Sequence, residues 1–303
     1  MSRSGNRTRT LSLLALAFLL PLTASADVVE RTFDVGRGGT LTLDTDAGSL
    51  DIRSAPGDQL RVRIERDVRG GADETFELRF EQDGDNLRIE GERPEGNWSW
   101  FGSNKYRIRF EIVVPEQYNL DLATAGGSIK IAELEGDVAC KTSGGSITVD
   151  DIEGQVDCRT SGGSIDIGRI EGSVVAKTSG GSISIDRSGG SVLAKTSGGS
   201  IAVNEVLGSI DATTSGGSVR AKISRQPLGD CRLSTSGGKV EVELAEGIAV
   251  DLDAKTSGGR VRLDVPVTVH GDIGRSSVRG QINGGGPELY LRSSGGSIYV
   301  KSL

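Results

Sequence analysis

Gly144-Gly145-Ser146-Ile147-Thr148-Val149-Asp150-Asp151-Ile152-Glu153-Gly154-Gln155-Val156-Asp157-Cys158-Arg159-Thr160-Ser161 is one turn of a phrase that runs through most of the second half of the chain. Its Gly-Gly pair recurs at a constant interval, with first members at Gly126, Gly144, Gly162, Gly180, Gly198 and Gly216. The series continues with looser spacing at Gly237, Gly258 and Gly295. A short fixed period means one structural unit stacked on copies of itself.

Within the unit, Ile147 and Val149 fall on one face, and Val156, Cys158 and Thr160 on another. Alternation with a period of two argues for strands. The faces persist: Ile165 and Ile167, Ile183 and Ile185, Ile201 and Val203 repeat the first, while Val174, Ala176 and Thr178, then Val192, Ala194 and Thr196, repeat the second. The Gly-Gly pair and the single Gly at 136, 154, 172, 190 and 208 mark corners, where glycine is expected to supply backbone angles that other residues resist. No unit buries itself alone. Stacked in parallel at ~4.8 Å per coil, the inward residues form a continuous column. The predicted fold is all-β: a parallel β-solenoid of about ten coils, with right-handed coiling as the default for parallel crossovers. A hexapeptide helix fails, because the positions six and twelve after Ile147 hold Glu153 and Arg159. Calcium-binding nonapeptide coils need G-G-x-G-x-D, and here Ser-Ile-Thr-Val follows the glycines.

Two later coils are longer than the rest, one with extra residues around Ser224-Arg225-Gln226-Pro227, the other after Gly247. The long interval from Gly258 to Gly295 reads as two irregular coils at the C-terminal end, residues 259–303. Residues 27–120 show alternating strands without the period, separated by Gly, Asp, Asn and Pro turns. Only Asp46-Ala47-Gly48-Ser49-Leu50-Asp51-Ile52 resembles a faint repeat there. This segment is predicted to begin as an incomplete coil and continue as an antiparallel β cap on the solenoid of residues 121–303, because an open first coil invites aggregation.

Residues 1–26 read as a secretory signal: Arg3, Arg7 and Arg9, an apolar stretch from Leu11 to Leu22, and Ala24-Ser25-Ala26 as the cleavage site. The apolar stretch is short for a membrane span, and no second one follows, so no transmembrane segment is expected after cleavage. The predicted location is exported, either periplasmic or at the cell surface. The whole chain carries a net charge of −7, and loss of the three arginines makes the mature chain more acidic. Nucleic acid is therefore excluded as a partner, since phosphate binding needs a basic footprint.

Four features bear on chemistry. Both Trp residues lie in Asn97-Trp98-Ser99-Trp100-Phe101-Gly102-Ser103-Asn104-Lys105-Tyr106, a predicted hairpin tip. Trp98, Trp100, Phe101 and Tyr106 suit a sugar, a membrane interface or a protein partner, or else plug the solenoid end. Lys141, Arg159, Lys177 and Lys195 share one outward repeat position, to which Lys255 returns. This basic ladder suits acidic glycans or lipid head groups, or is a solvated face that blunts sheet association. Cys140 and Cys158 share an inward position in adjacent coils, with Cα atoms ~4.8 Å apart but Cβ atoms near the coil spacing, above the disulfide mean. They read as buried free thiols, with a strained bridge as the alternative; Cys231 has no evident partner. His270 is the only His, and neither a metal cluster nor a Ser-His-Asp set can be assembled. Ser236-Gly237-Gly238-Lys239 matches S-x-x-K, but on a repeat corner rather than the helix that string requires. No catalytic, metal or cofactor-binding residue is expected.

The phrase Ile112-Val113-Val114-Pro115 entering Leu120-Asp121-Leu122-Ala123-Thr124-Ala125-Gly126-Gly127-Ser128-Ile129 resembles a bacterial family of exported "putative adhesin" domains of unknown function with β-strand repeats. The serial Thr-Ser-Gly-Gly-Ser-Ile phrases and the ending Ser294-Gly295-Gly296-Ser297-Ile298 fit it as well. The resemblance spans roughly residues 40–303 and implies architecture without catalytic residues. Three functions follow as expectations: a non-enzymatic envelope protein that binds a surface glycan or envelope component, a carbohydrate-active β-helix enzyme, and an envelope-stress module acting through a protein partner.

Overall fold

The computed structural model describes residues 27–68, 76–92, 106–269 and 274–303. Among these there is no helix, and the strands form two long sheets facing each other across one core. Each sheet carries eleven consecutive parallel strands in the same stacking order, so the body is a parallel β-solenoid. The repeat sets the register. In sheet 1, Ile147 pairs with Ile165, Ile165 with Ile183 and Ile183 with Ile201. In sheet 2, Val138, Val156, Val174 and Val192 form the matching column. These side chains are buried, at 0–2% exposure. Fully burying an Ile or Val contributes roughly 1.5–3 kcal/mol, so each coil is held largely by four or five aliphatic groups. A short third wall joins the sheets where Leu134–Glu135 pairs with Ile152–Glu153.

The corners require a correction. The Gly-Gly pairs of the repeat have no left-handed backbone; of the single-Gly corners only Gly136 does, with φ 151°. At the second glycine of each pair, glycine is needed for closeness. A Cβ on Gly145 would lie 2.1 Å from the carbonyl oxygen of Gly127 in the coil below, and the same clash repeats up the stack. The Thr before each pair bridges two coils. Thr160 Oγ1 donates to Gly145 O at 2.8 Å and accepts, at a long 3.4 Å, from Gly163 N–H. Thr142, Thr178, Thr196 and Thr214 donate to the equivalent oxygens. These hydroxyls are buried, so the bond satisfies groups that would otherwise cost free energy.

Both ends depart from sequence order. At the N-terminal end, Thr40–Thr45 and Ser49–Ala55 make a complete coil, and Leu50 and Ile52 pair with Ile129 and Ile131. That coil lies between the one at 119–131 and a coil made later in sequence by Asn86–Glu92 and Tyr106–Pro115. The antiparallel cap follows: Gln59–Val68 on Tyr106–Pro115, Asp27–Asp34 on Gln59–Val68, and Glu77–Asp83 on Asn86–Glu92. Phe33 and Phe80 stack at 5.9 Å and close this end of the core. At the other end, the two irregular coils expected over 259–303 are not formed: Ser277–Ile282 runs antiparallel to Val250–Thr256 and to Thr268–Val269, because the chain turns back on that strand instead of completing a turn. The one coil that follows, Glu288–Ser293 and Ile298–Ser302, does not come last in space. It sits between Cys231–Thr235/Val240–Leu244 and Val250–Thr256/Val261–Leu263, which precede it in sequence.

Candidate functional site

Stacking in register converts one repeat position into a line of like side chains. On the outer face of sheet 2, Lys141 pairs with Arg159, Arg159 with Lys177 and Lys177 with Lys195. The column continues through Thr213 and Ser234 to Arg292, and then to Lys255. Beside it runs a second column: Ala139, Asp157, Val175, Leu193, Asp211, Arg232 and Tyr290. From the Val138–Thr142 strand to the Glu288–Ser293 strand, these two columns present six cations against two carboxylates.

The two carboxylates neutralise only part of the strip. Asp157 accepts from Arg159 at 2.6 Å, and Asp211 faces Lys195 at 3.2 Å. Lys141 and Lys177 have no ion-pair partner among the described residues. Exposed pairs of this kind contribute at most about 1 kcal/mol, so the cations remain available to an anion from solution. Val175 and Leu193 are half-buried between the cations and give the strip an apolar floor.

Where the period breaks, the strip ends in a rigid group. Tyr290 is clasped by Arg292, 3.8 Å from its ring centre, and by Arg232 at 4.6 Å. Arg292 is anchored to Asp253 at 2.9 Å and donates to the carbonyls of Asp253 and Leu291. Burial pushes the Asp253 carboxyl up, but hydrogen bonds from Arg292 and Arg279 outweigh it and hold the group below its ordinary range. Arg232 has no carboxylate partner among the described residues and is exposed. Sequence reasoning misses Arg232, Tyr290 and Arg292. A signal exists for Arg292 alone, which stands two positions before Ser294-Gly295-Gly296 just as Lys141 stands before Ser143-Gly144-Gly145.

Two other charged places lie off this face. An open groove of about 530 Å³ runs along the third wall, where Glu135 stacks on Glu153 and Glu116, Glu133 and Glu171 line the sides. Asp151 is bound there by Arg169, through Nε at 3.0 Å and Nη2, and its carboxyl is held low by those bonds. The signal for the groove is the Glu-Gly pair repeated at 135, 153 and 171. On sheet 1, Glu241 is 6% exposed and accepts from Lys301 at 2.6 Å, Lys239 at 2.8 Å and Arg220 at 3.1 Å. Hydrogen bonds from Lys239 and Lys301 lower its pKa to about 2. Lys239, the lysine of the S-x-x-K string, is thus committed to an ion pair.

Trp98, Trp100 and Phe101 lie outside the described residues, as do His270 and the signal region. Tyr106 opens the Tyr106–Pro115 strand, and its side chain also lies outside what is described. No group of three or more potential metal ligands occurs among the described residues. No helix among them is long and apolar enough to cross a membrane.

Comparison with solved structures finds low identities. A putative cell adhesion protein of Clostridium sporogenes is 13% identical, with 91% of this chain and 100% of that chain covered and a TM-score of 0.23. A putative adhesin of Bacteroides fragilis is 12% identical, with 92% and 98% covered and a TM-score of 0.32. A putative lipid binding protein of Parabacteroides distasonis is 14% identical, with 90% and 96% covered and a TM-score of 0.31. No curated protein matches. The family model described as Toastrack DUF4097 matches residues 39–301, with the coils and corners described above inside that span, and the chain belongs to that family.

Proposed function

We propose that the protein is a non-enzymatic, exported cell-envelope solenoid that holds an anionic envelope polymer along the outer face of sheet 2. Acidic surface glycan is the concrete ligand. One observation carries the reading: an acidic chain gathers six cations against two carboxylates in adjacent columns of one rigid face, at one cation per coil over four consecutive coils. The coil spacing of ~4.8 Å is close to the length of a sugar ring, so successive coils can meet successive units of a polymer. Val175 and Leu193 supply apolar floor, and the Arg232–Tyr290–Arg292 group sets two stacked guanidiniums at the strip's end.

The test is a glycan and envelope-fraction binding screen with the mature chain, repeated with Lys141→Glu combined with Lys177→Glu. Affinity should fall at least tenfold in the double variant with the fold intact by circular dichroism. Binding should also weaken as salt shortens the Debye length from ~10 Å at 0.1 M to ~3 Å at 1 M. Unchanged affinity in the double variant sinks the ladder. Loss confined to Trp98→Ala with Trp100→Ala would move the site to the aromatic segment and favour the protein-partner reading. The acidic groove favours the second reading, a carbohydrate-active enzyme, since stacked carboxylates at coil spacing approach the ~5–5.5 Å separation of retaining glycosidases. Polysaccharide turnover abolished by Glu153→Gln would establish that reading and overturn the non-enzymatic one.

A further inference from the structure

We propose that Cys140 and Cys158 are a covalent modification site: a disulfide oxidant joins them into a staple between two consecutive coils. The two residues form a register pair on adjacent parallel strands, and their sulfurs lie 3.0 Å apart. Two thiols sharing only a weak S–H bond rest farther apart than that, while a disulfide needs ~2.05 Å. Paired strands at ~4.8 Å fall inside the ~4.4–6.8 Å Cα range of disulfides, so closing the remaining gap takes side-chain rotation and a backbone adjustment of a few tenths of an ångström to bring the Cβ atoms under ~4.5 Å. Both groups are buried, at 3% and 0% exposure. Cys231 does not compete, since it stacks in a different column, beside Leu289, several coils away. The equivalent positions above hold Ala176, Ala194 and Ala212, so the column needs no sulfur for packing.

The step is thiol–disulfide exchange with a disulfide-bearing oxidant, R–S–S–R. One cysteine thiolate attacks a sulfur of the oxidant, forming a mixed disulfide and releasing R–S⁻. The second thiolate attacks the protein sulfur of that mixed disulfide, the Cys140–Cys158 bond forms and a second R–S⁻ leaves. The two protons given up by the cysteines are taken by the departing thiolates. The protein loses two electrons and the oxidant gains them. The Cys140 hydrogen bond and burial raise the Cys158 pKa, which disfavours the attacking thiolate inside the closed coil. Oxidation therefore belongs to the stage when these coils are still opening and closing, and the finished bond is shielded from reductant.

The full mature chain is refolded from the reduced, denatured state with oxidised and reduced glutathione as the probe couple, and in parallel with dithiothreitol. Free thiols are then alkylated in denaturant. With the glutathione couple, one of the three cysteines should be labelled, Cys231, and tryptic peptides 131–141 and 142–159 should appear joined. With dithiothreitol, all three should be labelled. The oxidised chain should lose several degrees of melting temperature when reduced in denaturant and refolded, and Cys140→Ala with Cys158→Ala should lose that response. Three labelled thiols after oxidative refolding, or a joined pair that includes Cys231, overturns the proposal. Because the oxidant is supplied in the tube, the outcome stands apart from where the cell places the protein.

Discussion

Thr160 shows how much one residue carries. Its hydroxyl joins two coils through Gly145 O and Gly163 N–H. Thr160→Val keeps the shape and strands both polar groups, so stability should fall by about 1–3 kcal/mol, read by denaturant unfolding. Gly145→Ala should cost at least as much, since the new Cβ would meet Gly127 backbone at 2.1 Å, which no side-chain rotation relieves. A loss below about 0.5 kcal/mol in either variant, the size of an indifferent surface change, would contradict these roles. Glu241 adds a pH dependence. Its folded pKa is depressed to about 2 from an ordinary 4.5, so its contribution is fully present above pH 4.5 and is lost as pH falls toward 2. The shift corresponds to about 3 kcal/mol, and Glu241→Gln should flatten that part of an acid-unfolding profile. At this scale the inward-facing residues were legible in the sequence, because a period of two needs only alternation. The need for glycine at Gly145 was hidden, because the group it must avoid belongs to the neighbouring coil, one full repeat earlier in the chain.

At the scale of the element, the coil at 288–302 is the instructive case. The interval from Gly258 to Gly295 reads as two irregular coils, yet it holds an antiparallel return, Ser277–Ile282 on Val250–Thr256, and then a single coil that lies on the inner side of 250–263. One Gly-Gly phrase fits above or below any other, so pairing by register alone leaves the order open. Other residues decide it. Tyr290 meets Arg232 of the coil on one side, and Tyr299 lies 6.0 Å from Lys239 and 5.7 Å from Arg262, one on either side. Lys301 adds its bond to Glu241. Tyr290→Leu with Tyr299→Leu should destabilise this end by about 1–2 kcal/mol, as cation–π contacts of partly buried groups do. Hydrogen exchange should then quicken across 231–263 while 147–206 keeps its protection; uniform loosening would argue against a local lock. The bulges nearby also clasp, with Gln226 donating to Ala249 O and accepting from Ala249 N–H. The extra residues of the two longer coils were legible as insertions, but their mutual bond was not, because it joins positions in different coils.

Over the whole molecule, stacking turns a repeat position into a physical surface. The cation column on sheet 2 and the carboxylate groove on the third wall arise in the same way, one letter of the repeat at a time. The ladder was readable because Lys141, Arg159, Lys177 and Lys195 keep the period. The Arg232–Tyr290–Arg292 group was not, since it forms only when coil 288–302 slides beside coil 231–244. Each coil meets only its two neighbours, so unfolding should proceed as in a one-dimensional array, with the ends leading. The nested coil has a further consequence for how the protein is made. Strands 231–244 and 250–263 acquire their final neighbours only after residues 288–302 have been synthesised, and until then each has an in-register mimic of the right partner in the other. A chain truncated before residue 288 should therefore pair 231–244 directly with 250–263 and form a shorter, mis-stacked rod, read as faster hydrogen exchange across 231–263 than in the full chain.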